Sequence, residues 1–168
     1  MTSTAIQPKN DMDQFLNAFR QTIEVAAARL LEIPARQSET PRSDGKWSPK
    51  EIIGHLIDSA ANNHQRFVRA QFTDELIFAG YEQESWVRVQ NYQGEDWKDL
   101  VQLWKLYNQH IVHLVSLIPE ETRIRLRSKH NLNQIASDAI SENEPVTLDF
   151  FIRDYLDHMK KHLGQILD

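Results

Sequence analysis

Residues 48–67 read SPKEIIGHLIDSAANNHQRF and contain the clearest helix-start signal in the chain. Ser48 suits the N-cap, Pro49 suits the first helical position, and Glu51 stands three residues after the serine, which completes a capping box. Apolar residues follow at helical spacing, with no proline to interrupt them. The pattern therefore predicts an amphipathic helix over 48–72, about 35 Å long at about 1.5 Å per residue.

Three further stretches carry apolar residues spaced three and four apart, which is the period of an amphipathic helix. They cover about residues 11–31, 95–118 and 147–167, and Pro34 and Pro119 follow the first two. Four long amphipathic helices joined by two long connections indicate an all-α fold, a four-helix bundle. We expect the whole chain of 168 residues to form one domain.

The two long connections are less regular than the helices. Residues 73–94 contain two glycines that predict turns, with a short helix around 82–89. Residues 122–127 read TRIRLR, and this alternation predicts a short strand. The serine- and asparagine-rich residues that follow it predict a loop.

Charge and hydropathy exclude several classes of partner. Lys and Arg number 19 against 24 Asp and Glu, so the net charge is −5, and the clustered basic residues that bind nucleic-acid phosphates are missing. No run of 18 apolar residues predicts a membrane span. The N-terminal decamer MTSTAIQPKN lacks the apolar stretch of a signal peptide. We therefore expect a cytoplasmic protein with no nucleic-acid or membrane partner.

The chain has seven histidines and no cysteine. Sulfur ligands and thiolate nucleophiles are thereby excluded, and any metal site must consist of imidazoles and carboxylates. His158 and His162 lie four residues apart, which places them within about 40° of each other on one helix face. The pair suits a single metal ion, although a solvated shoulder of the helix has the same spacing.

A third ligand should come from another helix at a similar depth in the bundle. His55 lies two turns into the predicted 48–72 helix, and Asp58, Asn62 and Arg66 share its polar stripe beside an apolar face. Such a stripe suits a binding site, but the solvent-facing edge of an ordinary helix looks much the same. Spacing alone leaves both interpretations open.

The remaining histidines carry weaker signals. His64 lies nine residues from His55, about 180° around the helix, so these two cannot bind one ion. His110 and His113 lack the Glu-x-x-His motif of di-iron bundles, and His130 lies in an irregular segment. The chain also lacks a zincin motif, a glycine-rich phosphate loop and a Gly-x-Ser-x-Gly elbow, which disfavours peptidase, nucleotide-binding and serine-hydrolase functions.

Two segments resemble the DinB-like proteins, in the branch of metal-dependent hydrolases that includes the bacillithiol transferases. Residues 46–59, KWSPKEIIGHLIDS, followed by Asn62, Arg66 and Phe67, resemble the second helix of that family. Residues 155–162, YLDHMKKH, resemble its last helix. The aromatic-rich third predicted helix keeps the expected order between them, so the resemblance covers nearly the whole chain.

This resemblance implies an up-down-down-up four-helix bundle, often dimeric, with one divalent metal held by three histidines. The histidine of the family's second helix corresponds to His55, and the two of its last helix correspond to His158 and His162. Gly54 stands where the known transferases often have a further histidine, and Asp157 replaces a bulkier residue. These departures concern the identity of the substrate more than metal binding.

Taken together, these features predict a metal-dependent hydrolase or thiol S-transferase that acts on a small molecule. Three imidazoles and an open coordination position favour Zn²⁺ or Ni²⁺, which activates water or holds the thiol of a low-molecular-weight co-substrate. We expect Asp58 to orient an imidazole or accept a proton, and Arg66 to hold an anionic substrate group.

Two other functions remain open from the sequence. In the first, the protein is a non-catalytic, stress-related interaction protein whose metal site is closed by a fourth protein ligand such as Asp58. In the second, it is a helical bundle that binds no metal. Since the chain has no cysteine, any thiol chemistry requires a thiol supplied by a co-substrate.

Overall fold

Helices make up most of residues 8–168, the part of the chain that the computed structural model describes. In chain order they are α1 (Pro8–Leu31), α2 (Ala35–Ser38), α3 (Pro49–Arg69), α4 (Gln83–Gln90), α5 (Trp97–Leu117), α6 (Glu120–Ile124), α7 (Leu132–Ile135) and α8 (Leu148–Leu167). A 3₁₀ helix, Tyr92–Gly94, joins α4 to α5. The four long helices are α1, α3, α5 and α8, and most of the N-terminal decamer discussed above lies outside the described residues.

The start of α3 follows from the capping box that the sequence contains. The Ser48 hydroxyl accepts from the Glu51 amide at 3.3 Å, and the Glu51 carboxylate accepts from the Ser48 amide at 2.8 Å. The helix ends at Arg69, three residues before the predicted end. Because α3 packs against α5 on one side and α8 on the other, it is buried along most of its length.

Hydrogen bonds between helix ends define the directions of α1, α5 and α8. The Trp97 indole donates to the Leu30 carbonyl at 2.9 Å, so α5 starts where α1 ends. Arg29 donates to the Leu167 carbonyl at 2.7 Å, so α1 and α8 end together. Therefore α1 and α8 run in one direction, and α5 runs in the opposite direction.

The direction of α3 completes the topology. Gln93, just before α5, donates to the Ser48 hydroxyl at 2.8 Å, so α3 and α5 start at the same end. The four long helices thus have the up-down-down-up order of the predicted four-helix bundle. This order requires a long crossover, residues 70–96, to return the chain from the end of α3 to the start of α5.

The prediction of a strand over residues 122–127 is wrong. Residues Glu120–Ile124 form α6 instead, after Pro119 and with two glutamates in the first turn, where acidic side chains suit the positive helix end. Only an isolated bridge between Arg127 and Val146 has strand-like pairing in this region. The usual burial of polar and apolar side chains is reversed here, with Arg123 and Arg127 buried and Ile124 and Leu126 exposed.

Aromatic rings form the centre of the core. Phe67 of α3 packs edge-on against Phe151 and Tyr155 of α8, with ring centroids 5.7 and 5.9 Å apart. Phe19 of α1 joins Tyr155 at 6.1 Å. These contacts fix α3 against α8 and thereby set the register of the polar residues on their facing sides. No helix of the described residues is both long and apolar enough to cross a membrane.

Candidate metal centre

Three histidines from two helices meet near the end of the bundle where α3 starts. His55 lies in the second turn of α3, and His158 and His162 lie on successive turns of α8. The Nε2 atoms of His55 and His158 are 3.3 Å apart, and one ligand atom from each of the three residues lies within 4.8 Å of the others. The structure thus brings together the three residues nominated from spacing and from the family resemblance.

Neighbouring side chains hold two of these imidazoles in orientation. The indole of Trp47 packs against His55 with ring centroids 5.1 Å apart. Gln165 lies 3.1 Å from Nδ1 of His162, so this nitrogen donates to the amide oxygen and leaves Nε2 for a ligand role. Gln165 was not predicted from the sequence as part of the site. Its position three residues after His162 on the same helix would have indicated that the two side chains can meet.

The three imidazoles are neutral near pH 7. Burial, with the nearby His162 and His158, lowers the pKa of His55 to about 3. Burial, together with the nearby His162 and Lys161, lowers the pKa of His158 to about 4, and burial also lowers the pKa of His162. Neutral imidazoles present free lone pairs, which is the state that metal coordination requires.

This donor set fits a divalent ion of the zinc type. Two nitrogens bound at about 2.0–2.1 Å in tetrahedral geometry lie about 3.3 Å apart, which is the separation of the His55 and His158 Nε2 atoms. His55 is fully buried, and its Nδ1 has no hydrogen-bond partner among the described residues. No carboxylate of residues 8–168 joins the cluster, so a tetrahedral ion held there would have three protein ligands and a fourth position for water or substrate.

Asp58, one turn beyond His55, has its carboxylate in a different hydrogen-bond network. Its Oδ1 accepts from the Tyr92 hydroxyl at 2.7 Å and from Gln90 at 2.7 Å. Oδ2 is buried and has no hydrogen-bond partner in the described part of the chain. Burial raises the pKa of Asp58, although the two hydrogen bonds oppose this shift. The network ties α3 to the crossover rather than to the histidines.

Tyr92 explains why a glycine occupies position 54. A Cβ added to Gly54 would lie 2.1 Å from Cδ2 of the Tyr92 ring, so the ring fills the space of a side chain. A histidine side chain at position 54 could not fit unless Tyr92 moved. Tyr92 was not among the residues predicted from the sequence, although a glycine inside an otherwise strong helix indicated a close approach.

A cavity of about 540 Å³ adjoins the histidine cluster on one side. His158 and Arg66 both line it, so the structure places the predicted anion-binding residue in the same space as one of the three histidines. His162 and Trp47 line a second cavity of about 420 Å³. Two spaces, each large enough for a small molecule, therefore adjoin the cluster.

The remaining histidines lie away from the cluster. His64 and His110 approach each other at 5.1 Å between ring centroids, on the opposite side of α3 from His55. His113 is exposed on α5, and His130 hydrogen bonds within its own loop. Asp157 is also exposed and makes no contact with the cluster among the described residues.

Comparison with known families agrees with this architecture. The family model of the DinB superfamily matches residues 18–166, and the chain belongs to this superfamily. The fold and the three-histidine cluster thus occur together in a chain of this superfamily.

Two curated relatives carry the description "Putative metal-dependent hydrolase". The protein of Bacillus mycoides (strain KBAB4) is 23% identical over 110 residues, which are 66% of this chain and 64% of the relative. The protein of Bacillus cereus (strain AH820) is 26% identical over 90 residues, or 54% and 52% of the two chains. The matched part thus spans less than two thirds of either relative.

Among solved structures, YfiT from Bacillus subtilis has the same overall fold. The TM-score is 0.71 at 19% identity, and the match covers 99% of this chain and 89% of that chain. YfiT is described as "a probable metal-dependent hydrolase with an unusual four-helix bundle topology". At this identity the likeness supports the four-helix topology.

Proposed function

We propose that this protein is a metal-dependent enzyme that acts on a small molecule, as a hydrolase or a thiol S-transferase. The observation that carries the proposal is the cluster of His55, His158 and His162, whose ligand atoms lie within 4.8 Å of one another beside a cavity. The curated relatives are described as metal-dependent hydrolases, which supports the same class of chemistry.

In this proposal the three imidazoles hold Zn²⁺ or Ni²⁺, the ions that suit nitrogen ligands. An ion of this kind, when bound, acts as a Lewis acid: it lowers the pKa of a coordinated water molecule to about 7, and it also lowers the pKa of a coordinated thiol. Burial keeps the imidazoles neutral, and Gln165 fixes the ring of His162.

The second cavity supports transfer between two small molecules. Hydrolysis needs one organic substrate and water, whereas S-transfer needs space for an electrophile and a thiol. His158 lines one cavity and His162 lines the other, so each of two substrates has a space beside the cluster. Because the chain has no cysteine, the thiol belongs to a low-molecular-weight co-substrate.

A non-catalytic metal-binding role is the alternative, and it needs a closed site. Asp58 was the predicted fourth ligand for that case, but its Oδ1 bonds to Tyr92 and Gln90. Asp58 is also not a member of the histidine cluster among the described residues, which supports the catalytic proposal.

The role of Asp58 as a proton acceptor stays a prediction, with Oδ2 as the acceptor atom. We expect Asp58→Asn to keep the metal and lose activity, and full activity in this variant would contradict the role.

We also propose that the protein forms a homodimer. Leu103, Leu106 and Leu117 lie at helical spacing on α5, and each is at least 50% exposed. A second copy that covers this stripe would remove its apolar surface from water. Light scattering should give twice the chain mass of 19.7 kDa, and Leu106→Lys should reduce it to one chain. A monomeric wild type would exclude the dimer.

Metal content of untagged protein tests the centre. We expect about one divalent ion per chain in the wild type and less than about a tenth of that in His158→Ala, because two remaining ligands bind poorly. His113→Ala, which removes an exposed histidine outside the cluster, is the matched control and should keep the ion. Full occupancy in folded His158→Ala would contradict the proposal.

A screen of electrophiles tests the reaction class. Metal-loaded protein is incubated with esters, amides and alkyl halides, each with and without added thiols. Turnover that depends on thiol identifies an S-transferase, and turnover with water alone identifies a hydrolase. Equal rates for wild type and His158→Ala would exclude both.

A further inference from the structure

Arg66 is a buried cation in the wall of the cavity beside the histidine cluster. The residue is 6% exposed and lines the cavity together with Ser59, Asn63 and His158. The cavity volume of about 540 Å³ falls within the usual range for small-molecule sites, about 300–1,000 Å³. A ligand that fills this space would contact the guanidinium and lie next to the histidines.

The hydrogen bonds of Arg66 leave its charge without an anionic partner. Nη2 donates to the Ala79 carbonyl at 2.8 Å, and Nη1 makes a long contact of 3.4 Å with Oδ1 of Asn63. None of the ion pairs within residues 8–168 involves Arg66. Burial of an unpaired cation is costly, and a guanidinium offers five N–H donors of which only part are used here.

Two acidic residues line the same cavity, and neither pairs with Arg66. Asp154 is 5% exposed, and its two oxygens accept from the backbone amides of Ser137 and Asp138 at 2.9 and 2.7 Å. Glu82 is exposed before the start of α4. The carboxylate of Asp154 therefore organises its loop, while Glu82 faces solvent.

A neutral donor stands near the guanidinium. Tyr81 lines the cavity, and its hydroxyl interacts with Ser59, which lines the same cavity. Burial raises the pKa of Tyr81 to about 12, so the hydroxyl stays protonated. A protonated hydroxyl can donate a second hydrogen bond to an anion that Arg66 binds. The wall thus combines a fixed positive charge with an uncharged donor.

We propose that Arg66 forms an oxyanion subsite that binds a carboxylate or phosphate group of the small-molecule substrate. The assignment rests on the proposed enzymatic function and specifies its substrate class. The substrate is a small acid whose charged end and reacting group both fit in the cavity that Arg66 and His158 line. The planar guanidinium suits these oxyanions because it can donate two parallel hydrogen bonds. Arg66 then selects and orients the substrate, while the histidines hold the metal.

Anion binding can be measured separately from metal binding. Acetate and inorganic phosphate are titrated into metal-free and zinc-loaded protein, and binding is followed by calorimetry and by the NMR signal of the Arg66 Nε–H group. We expect saturable binding in both forms. Arg66→Gln should weaken it at least about tenfold, the loss expected for one charged hydrogen bond, with zinc content unchanged.

The matched control is Arg69→Gln, an exposed arginine one turn further along α3, which should bind anions like the wild type. Arg66→Lys keeps the charge without the fork and should fall between wild type and Arg66→Gln. Equal binding by folded Arg66→Gln, or no shift of the Arg66 signal in the wild type, would overturn the subsite. Binding to the zinc-loaded form alone would also overturn it, since the anion would then lie on the ion. Loss of zinc binding with intact anion binding would instead contradict the proposed function.

Discussion

At residue scale, position 54 shows how a missing side chain shapes the site. The ring of Tyr92 occupies the space beside Gly54 and from there reaches Asp58 with its hydroxyl. The glycine therefore allows the segment of the crossover that carries Tyr92 to pack closely against α3 next to His55. Tyr92 thus occupies the space that a side chain at position 54 would need.

Gly54→Ala should destabilise the protein by about 2 kcal/mol, because an overpacking cost of about 3 kcal/mol exceeds a helix-propensity gain of about 1 kcal/mol. Urea unfolding measures the change. Gly80→Ala is the matched control, since its added Cβ would meet only Ile135 at 3.8 Å, and we expect a change below about 0.5 kcal/mol. Stabilisation by Gly54→Ala would contradict the close approach of Tyr92.

The buried imidazoles predict a pH dependence of the metal-free protein. In the folded state the pKa of His55 is about 3 and that of His158 about 4, below the ordinary value of 6.5. At pH values between the folded and the ordinary pKa, the unfolded chain binds more protons than the folded protein. The contribution of the neutral imidazoles to the free energy of unfolding is therefore fully present above about pH 6.5 and decreases as the pH falls. The slope should reach about 1.4 kcal/mol per pH unit for each histidine.

Urea unfolding in chelator at several pH values between 4 and 8 measures this slope, and we expect His55→Asn to reduce it. A metal-free protein that gains stability on acidification over this interval would show that the imidazoles are not buried in neutral form.

At the scale of elements, the start of α3 connects two parts of the site. The Ser48 hydroxyl accepts from the Glu51 amide and also from Gln93, which belongs to the 3₁₀ helix of the crossover. One side chain thus caps α3 and holds the segment that carries Tyr92. Both tasks depend on the first turn of the helix, two turns before the Asp58 network.

Ser48→Ala should lower the free energy of unfolding by about 1–2 kcal/mol, since it removes an N-cap and the hydrogen bond that Gln93 donates to the Ser48 hydroxyl. Thermal and urea unfolding provide the measurement. Ser116→Ala, which changes an exposed serine of α5, serves as control and should be nearly neutral. An equal effect of the two substitutions would mean that the capping box contributes nothing measurable.

At the scale of the whole molecule, a metal held by α3 and α8 would join segments 103 residues apart in the chain. Binding to the folded state alone stabilises it by about 2.7 kcal/mol when free Zn²⁺ exceeds Kd about 100-fold. We therefore expect added Zn²⁺ to raise the unfolding temperature of the wild type and of His113→Ala, and to leave that of His158→Ala unchanged. An equal rise in His158→Ala would locate the bound ion elsewhere.

Local sequence determined the helices and part of the site. The capping box at Ser48, the apolar period of each long helix and the spacing of His158 and His162 depend on residues within a few turns of each other. Such signals identify elements and the polarity of their faces. They failed at 122–127, where buried arginines reverse the usual pattern.

Only the tertiary structure decided which faces meet. It brought His55 to His158, filled the space at Gly54 with Tyr92, and enclosed Arg66 in a cavity beside the histidines. Periodicity records that a face is buried but not against which partner, because that choice depends on the packing of all four helices and the two connections between them.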